Sequence, residues 1–180
     1  MTKSRRKGLL MVYTGKGKGK TTAALGTAFR AIGYDWKICM IQFIKGTWKY
    51  GEMRSIAEYR EQFELHPLGA GFFKILDDDQ PEEVHREAAE NAADLLIQKL
   101  QSDDYDLVIA DELNMAYSLD LIDTTLFQRI LDARPKNIHL IITGRGAPDF
   151  LIDQADMVTE MHEVKHPYQK GIKAQPGIDY

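Results

Sequence analysis

The sequence predicts an α/β fold, a mostly parallel central sheet with helices on both faces, and two observations predict it. Short apolar runs alternate with helix-period segments along almost the whole chain, the pattern of parallel strands joined by crossover helices. The first apolar run also passes through a glycine-rich turn directly into the first helix-period segment. With 180 residues, 44% hydrophobic and 28% charged, the composition is ordinary for a globular chain and the length suits one such domain. That domain is expected over residues 8–180, behind a flexible basic stretch at residues 1–7.

Taken in order, residues 8–14 (Gly-Leu-Leu-Met-Val-Tyr-Thr) form a short buried strand. Residues 20–32 are rich in alanine and carry Leu25, Ala28, Phe29 and Ile32 at helical spacing, with Gly33 as the stop. A second strand is expected at 37–43 and a shorter third at 62–65. Residues 81–100 give the clearest helix. There Val84, Ala88, Ala92 and then Leu95 or Leu96 recur at three- and four-residue steps, and Pro81, Glu82 and Glu83 suit a helix start. A strand at 105–110, a helix at 124–131 stopped before Pro135, and a strand at 138–143 follow. Residues 155–164 alternate loosely and read as a final strand at an edge. In sheets of this kind ligands bind beyond the carboxyl ends of the strands.

The balance of 23 basic against 27 acidic side chains gives a charge of −4, which argues against a general nucleic-acid binder but not against a local basic pocket. The single cysteine, Cys39, excludes an intrachain disulfide and reads as a small buried hydrophobe within its apolar run. No apolar stretch behind residues 1–7 suits a signal peptide, and none approaches the roughly 20 residues of a membrane span. The expected location is the cytoplasm, with no membrane partner.

The decisive segment is Gly15-Lys16-Gly17-Lys18-Gly19-Lys20-Thr21-Thr22. It follows a predicted strand and opens a predicted helix, the setting a phosphate loop requires. Its glycines allow successive N–H groups to point inward at phosphate oxygens, and the helix start adds its positive dipole end. Lys20 is spaced to reach terminal phosphate oxygens and Thr21 to ligate Mg²⁺. Thr14 stands where the strict pattern has glycine, and Lys16 and Lys18 add charge that the pattern does not demand. The second half of a nucleotide site is the apolar run ending in Asp111 and Glu112. One of these acids would hold the metal directly or through water, and the other would polarise an attacking group. Together the two segments imply binding of a nucleoside triphosphate, ATP with a divalent cation.

Other candidates have plainer readings beside the functional ones. His162-Glu-Val-Lys-His166 matches a zinc-protease pattern that needs a helix. Its extended context and Pro167 argue against one, and on a strand the two histidines would stand roughly 13 Å apart. Arg145, in Thr143-Gly-Arg-Gly146, either contacts a phosphate or ligand carboxamide or belongs to a tight turn. Phe72, Phe73 and Trp48 lie in loops, where aromatics usually pack on their own domain, although several near one site could form an apolar platform for a second substrate. Residue by residue, the motifs fit an ATPase or kinase with Glu112 as base, another ATP-using transferase, or a nucleotide-dependent binding module.

The ordered set of motifs resembles the P-loop class of ATP:corrinoid adenosyltransferases, the cob(I)yrinic acid a,c-diamide adenosyltransferases. The resemblance runs through the phosphate loop, Gln42-Phe-Ile-Lys-Gly-Thr-Trp48, Gly51-Glu52, Gly71-Phe72, Asp111-Glu-Leu113, Ala133-Arg-Pro135, Ile142-Thr-Gly-Arg-Gly146, Val164-Lys-His166, Lys173-Ala-Gln175 and Gly177-Ile-Asp-Tyr180. It implies a RecA-like P-loop domain, usually a homodimer. The implied reaction moves the 5′-deoxyadenosyl group of ATP to the cobalt of a Co(I) corrinoid and releases triphosphate, with a reduced flavoprotein supplying electrons. Lys20 and Glu112 would be catalytic. The nucleotide would lie on residues 15–22 and Arg145, the metal on Thr21, Asp111 and Glu112, and the corrin against Phe72, Phe73 and Trp48. The chain departs from the family where Lys16 replaces a common asparagine, and where Gly71-Phe-Phe-Lys74 replaces a common Gly-Phe-Thr-Trp.

Overall fold

A computed structural model describes residues 7–46, 50–71 and 80–180. The strands are β1 (Leu10–Thr14), β2 (Ile38–Gln42), β3 (Phe63–Pro67), β4 (Leu107–Asp111), β5 (His139–Thr143) and β6 (Met157–Glu160). The helices are α1 (Lys20–Ile32), α2 (Gly51–Ala57), α3 (Glu82–Gln101), α4 (Leu113–Ser118), α5 (Thr124–Asp132) and α6 (Asp149–Gln154). A 3₁₀ turn at Pro167–Lys170 follows β6. The sheet runs in the order β3-β2-β4-β5-β1-β6, with every neighbouring pair parallel.

The four central strands are buried on both faces, which explains why they read as continuous apolar runs rather than alternating ones. Successive residues still divide between the faces. Met11, Tyr13, Ile38, Met40, Leu107, Ile109 and Ile141 meet α1 through Ala24, Ala28 and Ala31. Leu10, Val12, Cys39, Ile41, Val108, Ala110, Leu140 and Ile142 meet Ala89, Ala93 and Leu96 of α3 and Phe127 and Ile130 of α5. The alanine stripe lets α1 lie close under the ends of β1, β4 and β5. Cys39 is buried in this core as the sequence implied, and burial, with the Glu64 carboxylate next, pushes its thiol up to about 12.

Three short helices, α2, α4 and α6, have no counterpart in the sequence reading. Each has six or seven residues, too few for a 3.6-residue period to show. The final strand is shorter than the expected 155–164. It ends at Glu160, after which the backbone turns to brace the loop behind β1. Strand β3 runs on to Pro67, where a missing N–H is tolerated at a sheet edge.

Edge strand β3 is fastened to α3 by a polar cluster. Glu64 accepts hydrogen bonds from Lys99 Nζ (2.8 Å) and from the Tyr105 hydroxyl, and pairs with His66 Nε2 at 2.7 Å. Burial works to raise the Glu64 carboxyl, but the bonds from Lys99, Tyr105 and His66 outweigh it and hold it at about 2. A carboxyl depressed in the folded state stabilises the fold above its unfolded pKa of about 4.3, and that contribution is lost as pH falls towards 2. The side chain is 38% exposed, so solvent screening reduces the contribution to about 1 kcal/mol. Glu64→Gln is therefore expected to lose about 1 kcal/mol at pH 7 and progressively less as pH falls through about 2. Urea unfolding across that pH range checks both ends.

Candidate active site

Parallel register sets the polar ends of four adjacent strands side by side. Gln42, at the end of β2, is opposite Asp111 at the end of β4, and Tyr13 is opposite Thr143 at the end of β5. Asp111 is completely buried. Its Oδ1 accepts hydrogen bonds from Thr21 Oγ1 and Thr143 Oγ1, both at 2.8 Å. Its Oδ2 accepts one from Gln42 Nε2 at 3.2 Å and lies 3.6 Å from Lys45 Nζ. The first helix of the chain is thus tied through Thr21 to the end of the fourth strand.

The glycine-rich loop, residues 15–19, turns between β1 and α1. Gly15 and Gly19 have φ of 93° and 114°, the left-handed region that side chains rarely adopt. Gly17 is required for space: a Cβ there would stand 2.8 Å from the carbonyl oxygen of Met161. The backbone beyond β6 holds the loop from outside, since Met161 N donates to Thr14 O and Gly17 N donates to Met161 O. Lys20 is buried and its Nζ donates to the carbonyls of Gly15 (3.0 Å) and Gly17 (2.9 Å). Burial lowers its pKa and Arg145 adds to that, while Glu112 and Asp111 oppose it.

Glu112 has a left-handed backbone at φ 62°, and its N–H donates to Thr143 Oγ1 at 2.9 Å. Burial, then the neighbouring Asp111 carboxylate, pushes its carboxyl up to about 7, against the pull of Lys20, Lys45 and Arg145. Lys45 bonds Glu52 Oε1 at 2.8 Å and lies 4.9 Å from the centre of the Tyr50 ring. Burial disfavours its charge, but Asp111, then Glu52 and Tyr50, outweigh that and raise its pKa.

Two cavities flank the loop. The larger, about 560 Å³, is lined by residues 18–22 and Glu112 on one side and by Lys45, Tyr50 and Glu52 on the other, with residues 177–180 across one end. The smaller, about 320 Å³, is walled by Lys16, Lys18, Lys20, Arg145, His166 and Tyr168, with the acid Glu163 among them. The larger volume suits a small-molecule site, and the second is notable for its positive charge. The oxygen donors of Thr21, Asp111 and Glu112 are of the kind a hard divalent cation takes, and the Thr21 hydroxyl and Asp111 carboxylate are already within hydrogen-bond distance.

The structure therefore gathers every member of the loop, with Arg145, Asp111 and Glu112, around one region. Trp48, Phe72 and Phe73 lie outside the described residues. His162 sits in an irregular segment and His166 begins the 3₁₀ turn, so the two do not share a helix face. The sequence reading placed Gln42, Lys45, Glu52, Thr143 and residues 177–180 within motifs of the resemblance but gave them no site role, and it passed over Tyr50 and Tyr168. One signal was available: Gln42, like Asp111, is a polar residue closing an apolar run.

The sequence model of the family described as ATP:corrinoid adenosyltransferase BtuR/CobO/CobP matches residues 6–180. The corrinoid adenosyltransferase of Pseudomonas aeruginosa is 38% identical over 97% of this chain and 84% of its own length. That of Escherichia coli K12 is 37% identical over 97% of this chain and 86% of its own. Corrinoid adenosyltransferase CobA of Salmonella typhimurium is also 37% identical, with the same coverages. Among solved structures, flagellar accessory protein FlaH from Methanocaldococcus jannaschii superposes with a TM-score of 0.53 at 13% identity, over 86% of this chain and 71% of that one. That likeness concerns the fold, which is the RecA-like P-loop architecture with one strand, β5, between the loop-bearing β1 and the acidic end of β4.

Thr143→Val is expected to destabilise the protein by about 1–3 kcal/mol, because one hydroxyl serves both the buried Asp111 carboxylate and the Glu112 N–H. Denaturant unfolding of the variant and the parent measures it, and Thr143→Ser should recover most of the loss.

Proposed function

The chain belongs to the ATP:corrinoid adenosyltransferase family, and on that premise we propose how its residues move the 5′-deoxyadenosyl group of ATP to the cobalt of a Co(I) corrinoid, in adenosylcobalamin biosynthesis or salvage. The cobalt electron pair attacks C5′, a Co–C bond forms, and the C5′–O bond breaks with its electrons leaving on triphosphate. The observation that carries the assignment is the charge around one loop: Lys16, Lys18, Lys20 and Arg145 all line the cavities that flank it. A leaving group of three phosphates needs that much compensation, and it needs it most as the C–O bond breaks.

Lys20 and the N–H groups of residues 15–22 other than Gly17, whose N–H is taken by the Met161 carbonyl, bind and stabilise the triphosphate, with Lys16, Lys18 and Arg145 extending the positive field. Thr21, Asp111 and Glu112 would hold a divalent cation such as Mg²⁺. Bound there, it would offset charge building on the departing oxygen. Cobalt is its own nucleophile, so no residue has to activate water. Holding C5′ in line with cobalt is the remaining task. Phe72, Phe73 and Trp48 are proposed for the corrin face. In support, the described flanks of their two loops lie close together, since a Cβ on Gly46 would stand 3.0 Å from Gly71 N, next to Lys45, which lines the larger cavity. A reduced flavoprotein as electron donor and a homodimeric state belong to the same proposal. Among the described residues no helix is long and apolar enough to cross a membrane.

Anaerobic incubation with ATP, Mg²⁺ and chemically reduced cob(I)alamin is expected to give adenosylcobalamin and an equal amount of triphosphate. ADP and phosphate without adenosylcobalamin would return the protein to the hydrolases or kinases. Lys20→Ala is expected to slow formation of the Co–C bond by roughly 100-fold or more, read from the visible spectrum.

A further inference from the structure

Residues 177–180 line one end of the larger cavity as part of a turn over residues 175–180, and little holds that turn there. All six are exposed, Ile178 by 68% and Tyr180 by 44%, so apolar burial contributes little to their docking. They form a turn: Ile178 N and Asp179 N donate to Gln175 O (3.2 and 2.8 Å), and Gly177 N donates to Tyr180 O (2.7 Å). The turn aims the Asp179 carboxylate. Oδ2 accepts from Gln175 N at 2.8 Å, and Oδ1 accepts from Lys18 Nζ at 2.6 Å. Lys18 belongs to the phosphate loop and lines both cavities. Its ammonium is also the first of the groups holding Asp179 below the usual carboxylate range.

One ammonium cannot serve a carboxylate and a phosphate chain fully at the same time. The pair is reached by solvent, with Lys18 41% and Asp179 24% exposed, and ion pairs of this kind are weak enough to exchange. We propose that Asp179 competes with the phosphate chain for Lys18, making residues 175–180 a displaceable closure of the nucleotide cavity. An arriving polyphosphate takes Lys18 and frees the turn. Re-formation of the Lys18–Asp179 pair then helps the triphosphate product to leave. Asp179 is a positioning residue in this scheme, acting through Lys18, and the scheme rests on the loop being the phosphate site proposed above.

Inorganic triphosphate is the probe, titrated calorimetrically into the full chain at low ionic strength and fixed Mg²⁺. Asp179→Asn is expected to bind it roughly two- to fivefold more tightly than the parent. That gain should vanish in a Lys18→Gln background, and Asp179→Glu should restore the parent affinity. A loosened fold would weaken binding, so the sign separates competition from damage. Unchanged or weaker binding in Asp179→Asn overturns the proposal, as does an equal gain without Lys18. If the parent binds triphosphate, and Lys20→Ala does not, a null effect of Asp179→Asn defeats the competition alone. No binding by the parent would defeat the phosphate-site reading and this one with it.

Discussion

A carboxylate taken wholly out of water must be matched where it lies, and Asp111 is matched by four different parts of the chain. Thr21 comes from the start of α1, Thr143 from the end of β5, Gln42 from the end of β2, and Lys45 from the segment beyond it. An unpaired buried charge costs several kcal/mol, so no one of these segments can drift without a penalty. The Asp111 carboxylate thereby sets where the first helix begins relative to the sheet. Through Lys45 it also fixes one wall of the larger cavity.

The glycine-rich loop is held from its outer side by an edge strand of the sheet. Strand β6 is exposed along its length and, among the described residues, pairs only with β1. It continues into Met161, whose N–H and carbonyl bond Thr14 and Gly17. The same contact makes glycine necessary at position 17, where the two backbones approach too closely for a Cβ. An edge strand whose apolar side chains, Met157 and Val158, are only partly covered is thus kept in register with the help of the loop it braces, and loop and strand depend on one another.

Neighbouring acids at the end of β4 have different surroundings for reasons the backbone supplies. Asp111 completes the strand and points into a ring of donors, whereas Glu112 turns through a left-handed conformation. Burial and the adjacent carboxylate raise Glu112 to about 7, with Lys20, Lys45 and Arg145 as the opposing charges. Glu112 therefore lines the cavity, and Asp111 lies behind it, joined to the cavity wall through the Thr21 hydroxyl.

Local signals in the sequence determined the strands and long helices of this protein. Uninterrupted apolar runs mark β1, β2, β4 and β5 because both faces of those strands are buried. The repeat of Val84, Ala88 and Ala92 marks α3 as a helix, although the face that packs is His85, Ala89, Ala92, Ala93, Leu96 and Leu100, and Val84 is exposed. Residues 15–22 were legible as a glycine-rich turn opening a helix because the requirement is contiguous: glycines for the turn, then lysine and threonine at the helix start. The tertiary structure alone decided which residues surround that loop. Lys45 meets Asp111 from 66 positions away, Thr143 reaches it across the β4–β5 register, and Asp179 finds Lys18 across 161 positions. No periodicity records such pairings, since they follow from strand order and from loops whose ends converge at one edge of the sheet. Sequence spacing fixes what a segment becomes, and packing fixes what it meets.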